Sequence, residues 1–495
     1  MPSSRKAQQQ EPCDLGALID NLHLSDDFLI TSCKSGSGSV SLIYFKTLID
    51  LTILKKHLLD GLINDAKSAS LKEIQDTLPF VQSSIETDLK KIEKKLLKGY
   101  AGIIESRKSG EVLLVPMEEE NLRSISVPEV EFSVIGPKQA FIEDLRTNIQ
   151  LVRGRLPSRD LRITYVEVGS LTKTTTAVLY LDAIADKENV NTMLQRIRDI
   201  EFDHIEDSSY INQMIEDNTM SPFPQFIDTE RPDRVSSALA EGKVAVFVDG
   251  SPTAITGPTT FIEFFSAFDD YFSSWHISSI FRMIRLMAVA FSIFATAIYV
   301  AVLTYHSALV PRDLLATLIQ SRETVPFPPI VEALFLELAI ELLREAGARL
   351  PTKVGQTIGI VGGIVIGTAA VEAGLTSNIL VIIVALSALA SFTTPIYRIG
   401  NTIRLLRFPF MLAAQLWGLI GVAAVFGFLL VHLLGLTSMG RPYLEPLYPP
   451  RLADFKDSVI RLPFNMQTTR PDLLRPGKKE RFRKQKVKQK KDIDD

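Results

Sequence analysis

Three carboxylates, Glu337, Glu341 and Glu345, recur every four residues within the apolar stretch from Ile330 to Ala346. At helical spacing they share one face, while Leu334, Leu338, Ile340 and Leu342 fall largely elsewhere. Acidic side chains at membrane depth are tolerated where they meet water, cations or partner groups, so this face is a candidate ion-pathway element. The same pattern also suits an amphipathic helix lying on a membrane surface or packed under a soluble domain. Pro326, Pro328 and Pro329 before the stretch, and Gly347 and Pro351 after it, predict a helix broken at both ends. Broken helices occur at membrane depth when they are buried in protein or line a watery cavity. A re-entrant or embedded element is therefore expected.

Two further constellations stand out. Gly355, Gly359, Gly363 and Gly367 repeat at intervals of four and form one smooth helical stripe. Close packing against another helix accounts for such a stripe; a narrow pore wall of backbone and small side chains is the alternative. Arg231, Asp233 and Arg234 form a charged cluster around Pro232. Capping and salt bridging explain it, and contact with partner subunits is the functional alternative. Enzyme chemistry has no comparable signal. The chain has no G-x-S-x-G or H-E-x-x-H, and its 6 histidines are scattered, so neither a catalytic site nor a metal site is expected. Ser35-Gly36-Ser37-Gly38-Ser39 lacks the Gly-Lys-Ser/Thr of a phosphate loop, and no cofactor is implied.

The elements that must position these residues follow from hydropathy. Residues 283–305, 358–375, 379–394 and 410–436 have the composition of bilayer spans, the third being short. Ahead of them, period-2 runs at 40–45, 111–115, 162–168, 175–181, 225–228 and 243–248 alternate with helical periods at 88–98, 140–153, 189–200 and 209–217. Pro232 suits the first turn of a helix that ends at Gly242. The expected fold class is α+β/α-helical membrane protein, with an N-terminal soluble α/β region of two subdomains followed by a multi-pass helical membrane domain. Its expected parts are a flexible segment 1–38, subdomains 39–125 and 126–280, a membrane domain 281–440 with four spans and the acidic helix, a post-membrane segment 441–469, and a basic, disordered tail 470–495.

Charge and cysteine usage set the surroundings. A formal net charge of -3 names no partner, but the tail carries eleven Lys or Arg against five Asp or Glu. A solvated tail or attraction to anionic lipid explains it better than nucleic acid. Only Cys13 and Cys33 occur, and the first twenty residues hold no apolar run of signal-peptide length, so the N-terminal region is expected in the cytosol. Arg282 and Arg285 mark a cytosolic edge under the positive-inside tendency. Arg398, Arg404 and Arg407 ask for the cytosol too, as does the tail, yet one span separates them. An even number of crossings, with Asn401 to Arg407 lying at the interface, accommodates both.

Four blocks of sequence resemble one family. PFPQFIDTERPDRVSSALAEGKVAVFVDGSPTAITGPTTFIEFF, from Pro222 to Phe265, is similar to the signature of the A subunit of GerA-type spore germinant receptors. VPFPPIVEALFLELAIELLREAGARLP with VGQTIGIVGGIVIGTAAVEAGL, LRFPFMLAAQLWGLIG, and PYLEPLYPPRLADFKDSVIRLP agree with it. The resemblance implies an inner-membrane (cell or spore) protein of endospore-forming bacteria that acts with B and C subunits to sense nutrients and trigger germination. It also implies a homo-oligomer of this subunit and a pathway for monovalent cations. A non-conducting scaffold that couples a sensing subunit to a separate channel remains the alternative. A secondary transporter with broken helices is a third, against which the lack of a second matched repeat counts.

Overall fold

The computed structural model describes residues 14–35, 38–59, 70–78, 80, 82–106, 110–118, 127–128, 131, 135–350, 362–363, 365, 367–451 and 453–482. They form two compact units. One holds the chain up to Glu216 together with Phe226–Pro258 and the segment from Thr468, and the other holds Asp217–Gln225 and Thr259–Gln467.

The first unit contains two five-stranded antiparallel sheets. Its strands are β1 Phe28–Ser35, β2 Gly38–Phe45, β3 Ser84–Glu86, β4 Tyr100–Ile104, β5 Val112–Pro116, β6 Leu161–Val168, β7 Thr174–Leu181, β8 Ile227–Thr229, β9 Val244–Val248 and β10 Ala254–Gly257. The helices are α1 Leu15–Leu22, α2 Leu71–Thr77, α3 Leu89–Leu96, α4 Leu145–Arg155, α5 Lys187–Arg198, α6 Ser208–Ile215 and α7 Pro232–Glu241, with a short α-to-π stretch at 51–59. Sheet orders are β1-β2-β4-β5-β3 and β6-β7-β9-β10-β8. Adding five to each label of the first order yields the second.

The helices repeat as well: each half runs helix, two strands, two helices, strand, helix, two strands. Asp14 and Asp144 cap the first helix of each half by accepting from Ala17 N and Thr147 N. Left-handed glycines, Gly99 and Gly242, precede the fourth strand of each half. Residues 14–35, expected as a flexible lead-in, supply α1 and β1 of the first half. The apolar run Phe28-Leu29-Ile30 registers against Ile43-Tyr44-Phe45 and so becomes an edge strand.

Strand alternation explains the layering. Val40, Leu42, Tyr44, Ile103, Leu113 and Val115 face one core with residues of 51–59 and α2. Ile43, Phe45, Ile104, Val112 and Leu114 face the other with α1 and α3. Both faces are apolar, so both must be covered. In the second half Leu161, Ile163, Leu179 and Phe247 pack on α4 and α7, the counterparts of α1 and α3. The halves meet at a buried network. Arg153 donates Nε and Nη2 to Asp27 at 2.7 Å each, and Ser25 and Thr47 hydroxyls also reach that carboxylate. Backbone bonds of Ile163 and Tyr165 to Ser25 and Asp26 cap the open edge of β6.

Residues 470–482, part of the segment expected as a disordered tail, lie against this unit. Gly477 N donates to Ile184 O, Arg470 to Ala240 O, and Arg481 to Glu241. Backbone acceptors draw in a segment whose composition alone reads as solvated.

The second unit is helical: α8 Trp275–Tyr305, α9 Arg312–Gln320, α10 Pro329–Arg349, α11 Asn378–Ser391 and α12 Tyr397–Gly435, with residues 367–372 also helical. Among the described residues α8 and α12 are the two helices long and apolar enough to cross a membrane. The expected span 379–394 is a helix of 14 residues, and 358–375 lies partly outside the described residues. The expected span 410–436 is not one rod. Gly418 adopts φ 64, ψ -144 and breaks α12. Thr402 Oγ1 donates to Pro222 O and His432 Nε2 bonds Ser221 Oγ at 2.8 Å, so positions thirty residues apart reach neighbouring residues. A straight helix would separate them by about 45 Å. Residues 397–417 and 419–435 are therefore the two arms of a hairpin, with Phe410 and Phe426 both packed on Phe294 of α8.

Candidate functional site

The acidic helix α10 starts at Pro329, whose fixed φ and missing N–H suit a first turn. Its carboxylates are graded in exposure along the face. The Glu337 side chain is 1% exposed, that of Glu341 22% and that of Glu345 60%. Each meets an arginine. Glu337 accepts from Arg407 Nη1 and from Thr296 Oγ1, both at 3.0 Å. Glu341 accepts from Arg344 at 2.7 Å and lies 3.7 Å from Arg404 Nε. Glu345 pairs with Arg349 on the same helix at 2.5 Å. The face thus meets partner groups, and the most buried carboxylate reaches across to the first arm of α12.

Around Arg407 the polar groups form a connected set. Its Nη2 donates to Ser292 Oγ at 2.5 Å and to Ser387 O at 2.8 Å, which ties α8, α10, α11 and α12 together. Arg407 Nε and the Ser387 hydroxyl are fully buried and have no partner among the described residues. Burying two charges costs several kcal/mol per ion, recovered only when geometry and extra hydrogen bonds are good. Here the recovery is incomplete, so the set retains polar capacity inside an apolar bundle. A second carboxylate lies about one and a half turns earlier. Glu332 is fully buried, accepts from Ser377 N at 3.1 Å and pairs with Arg322 at 2.8 Å.

Arg404 and Arg407 were expected at a membrane interface, yet both are buried. The carboxylates of α10 are the reason, since each offers the guanidinium a partner that lipid headgroups would otherwise supply. Complementary charge on two apolar helices, Glu337 with Glu341 on one and Arg404 with Arg407 on the other, is the sequence signal for this pairing.

Of the glycine stripe, Gly355 and Gly359 lie outside the described residues. A Cβ added at Gly363 would have no neighbour within 4 Å, and one at Gly367 would come no nearer than 4.0 Å to Val381. Neighbouring Gly362 is the tight one, where a Cβ would lie 2.7 Å from the Leu343 side chain of α10. Arg231 and Asp233 form a buried pair at 2.7 Å, and Arg234 pairs with Glu131 at 2.9 Å. These three residues brace the start of α7. The first unit also has a cavity of about 650 Å³ lined by Asp88, Lys90, Glu93, Ser158, Arg159 and Asp160. Burial pushes the Glu93 carboxyl up, with Arg159 opposing at 3.6 Å. The charges of this lining alternate in sign. Among the described residues no three His, Cys, Asp or Glu side chains gather as a metal site.

A family profile described as Bacillus/Clostridium GerA spore germination protein matches residues 17–473. Spore germination protein GerQA of Bacillus cereus is 50% identical over 470 residues, covering 95% of this chain and 94% of its own. Spore germination protein KA of Bacillus subtilis (strain 168) is 38% identical, covering 92% and 86%. A crystal structure of the N-terminal domain of the A subunit of a Bacillus megaterium spore germinant receptor is similar to 50% of the chain, with 27% identity, 94% coverage of that domain and a TM-score of 0.38.

Proposed function

The chain belongs to the GerA family of Bacillus/Clostridium spore germination proteins, and we propose that it is the A subunit of a germinant receptor that spans the inner membrane several times. It acts with B and C subunits, and several copies together frame a path for monovalent cations. The observation that carries this reading is the graded carboxylate face of α10, running from a buried Glu337 to an exposed Glu345. Such a gradient draws cations from solvent toward the bundle, and repetition around a ring of subunits multiplies the field. The stripe at Gly355, Gly359, Gly363 and Gly367 supplies the close-packed or pore-facing wall beside it. Arg231, Asp233 and Arg234 hold α7 in the pose in which the soluble unit meets its partners.

The test is the triple variant Glu337→Gln, Glu341→Gln, Glu345→Gln in spores. Slowed germinant-triggered cation release with normal receptor levels is expected. Unchanged release with intact assembly removes the acidic face from the pathway.

A second reading has its own observation: each carboxylate is matched by an arginine, which cancels charge and fixes packing. On that reading the subunit is a non-conducting scaffold that couples a sensing subunit to a separate channel. Liposomes holding this chain with its B and C partners separate the two, because a scaffold gives no nutrient-gated flux.

A further inference from the structure

At the start of α8 lies a polar cluster that the proposed pathway does not use. Asp270 accepts from Arg282 Nε at 3.0 Å and from Arg285 Nη2 at 2.9 Å. Asp457 accepts from Arg282 Nη1 at 3.1 Å and from the Tyr271 hydroxyl at 2.8 Å. Arg461 donates Nη1 to the carbonyls of Asp270 and Ser273 at 2.6 Å each. The guanidinium carbons of Arg282 and Arg461 sit 5.6 and 5.4 Å from the Tyr271 ring centroid. Among these residues three arginines face two aspartates, an excess of one positive charge over the pairs just given.

Hydrogen-bond accounting within this cluster is one-sided. Arg282 Nη2, Arg461 Nε and Ser458 Oγ are fully buried and have no partner among the described residues. Ser458 is joined to the others, since its carbonyl accepts from Arg282 Nη1 at 3.2 Å. All three unmet groups can donate, and the two guanidinium N–H groups cannot accept. A set of donors with surplus positive charge asks for an acceptor-only, negatively charged oxygen group, which a planar guanidinium fork fits in phosphate geometry. A water molecule, which must also donate, matches it less well.

Apolar neighbours decide which phosphate. Ile460 and Phe464 are exposed beside Arg461, the Phe464 ring centroid 4.6 Å from its guanidinium carbon, and Ile277, Ile280, Phe281 and Ile284, each more than half exposed, form the outward face of the same first turns of α8. A free anion has no use for apolar surroundings, whereas a lipid brings acyl chains to cover them. From this geometry we infer that Arg282, Ser458 and Arg461 form a site for the phosphodiester of a net-anionic membrane lipid. The occupant rests on the membrane reading of α8, and that reading is tested separately by whether extraction of the chain requires detergent.

The full-length chain in detergent is titrated with phosphatidylglycerol or phosphatidylcholine, and bound lipid is counted by native mass spectrometry. Phosphatidylglycerol is expected to be retained at least about tenfold better, and Ser458→Ala to weaken that retention by about tenfold, as loss of one hydrogen bond to a charged group implies. Arg461→Lys keeps the charge but removes Nε, and is expected to lose retention while its melting curve reports whether the fold survives. Equal retention of the two lipids, or wild-type retention by folded Ser458→Ala, overturns the site. Protection by millimolar inorganic phosphate without any lipid preference overturns the lipid as its occupant.

Discussion

Both units bury an arginine–carboxylate pair with each side chain at most 2% exposed: Arg153–Asp27 between the sheets and Arg407–Glu337 in the helical bundle. Their completeness differs. Asp27 is reached by Arg153, Ser25 and Thr47, and Arg153 lies 4.4 Å from the Phe45 ring centroid, with no buried atom of either residue left unmet among the described residues. In the bundle, Arg407 Nε and Ser387 Oγ remain unmet. The saturated pair fixes one arrangement of two half-domains. The unsaturated pair leaves hydrogen-bonding capacity unused and so specifies its arrangement less completely.

The contrast is breakable. Both Asp27 oxygens accept from Arg153, so Asp27→Asn turns an amide N–H against one of its buried donors, and a loss of about 3–5 kcal/mol is expected, read from equilibrium unfolding of the full-length chain. Glu337→Gln keeps an acceptor for Arg407, which still holds Ser292 and Ser387. A loss of about 1–3 kcal/mol is expected in the same measurement. Equal losses from the two variants would show that completeness does not distinguish the sites.

The repeat within the first unit sharpens a smaller difference. Gly99 and Gly242 both have left-handed φ, of 87° and 109°. A Cβ at Gly99 would lie 2.8 Å from Leu48 O and 3.0 Å from Glu118 Cα, whereas at Gly242 the nearest atoms are at 3.4 Å. Both alanine variants carry the left-handed penalty of about 1–2 kcal/mol. Gly99→Ala adds a backbone clash, so its melting temperature should fall further than that of Gly242→Ala.

Much of the architecture was legible. The α7 boundaries follow from Pro232 and Gly242, and β6 and β7 from alternation, because local chemistry sets caps and period. The duplication was not, since only the pairing order reveals it while the two sequences share little beyond cap residues and glycines. Leu15–Leu22 and β1 escaped because a Ser-Gly run beside them reads as linker, although their apolar positions fit α3 and β2. At the candidate site the carboxylates were found from spacing, but their arginine partners on α12 lie some seventy positions away, and only tertiary packing pairs Glu337 with Arg407. The hairpin in α12 was hidden for a related reason. Gly418 stands between Leu416-Trp417 and Leu419-Ile420, with no adjoining proline or polar cluster to mark a reversal.

That reversal bears on the orientation expected from charge. A straight helix would be a one-way crossing, placing Arg398, Arg404 and Arg407 at its entrance and the chain's exit at the opposite face. A helix folded at Gly418 is a round trip, and Ser221 and Pro222 stand at the door used both ways. The excursion adds nothing to the count of sides changed. In a membrane, the arginines at its departure and the lysine-rich terminus that follows its return would fall to one side, as the positive-inside tendency asks.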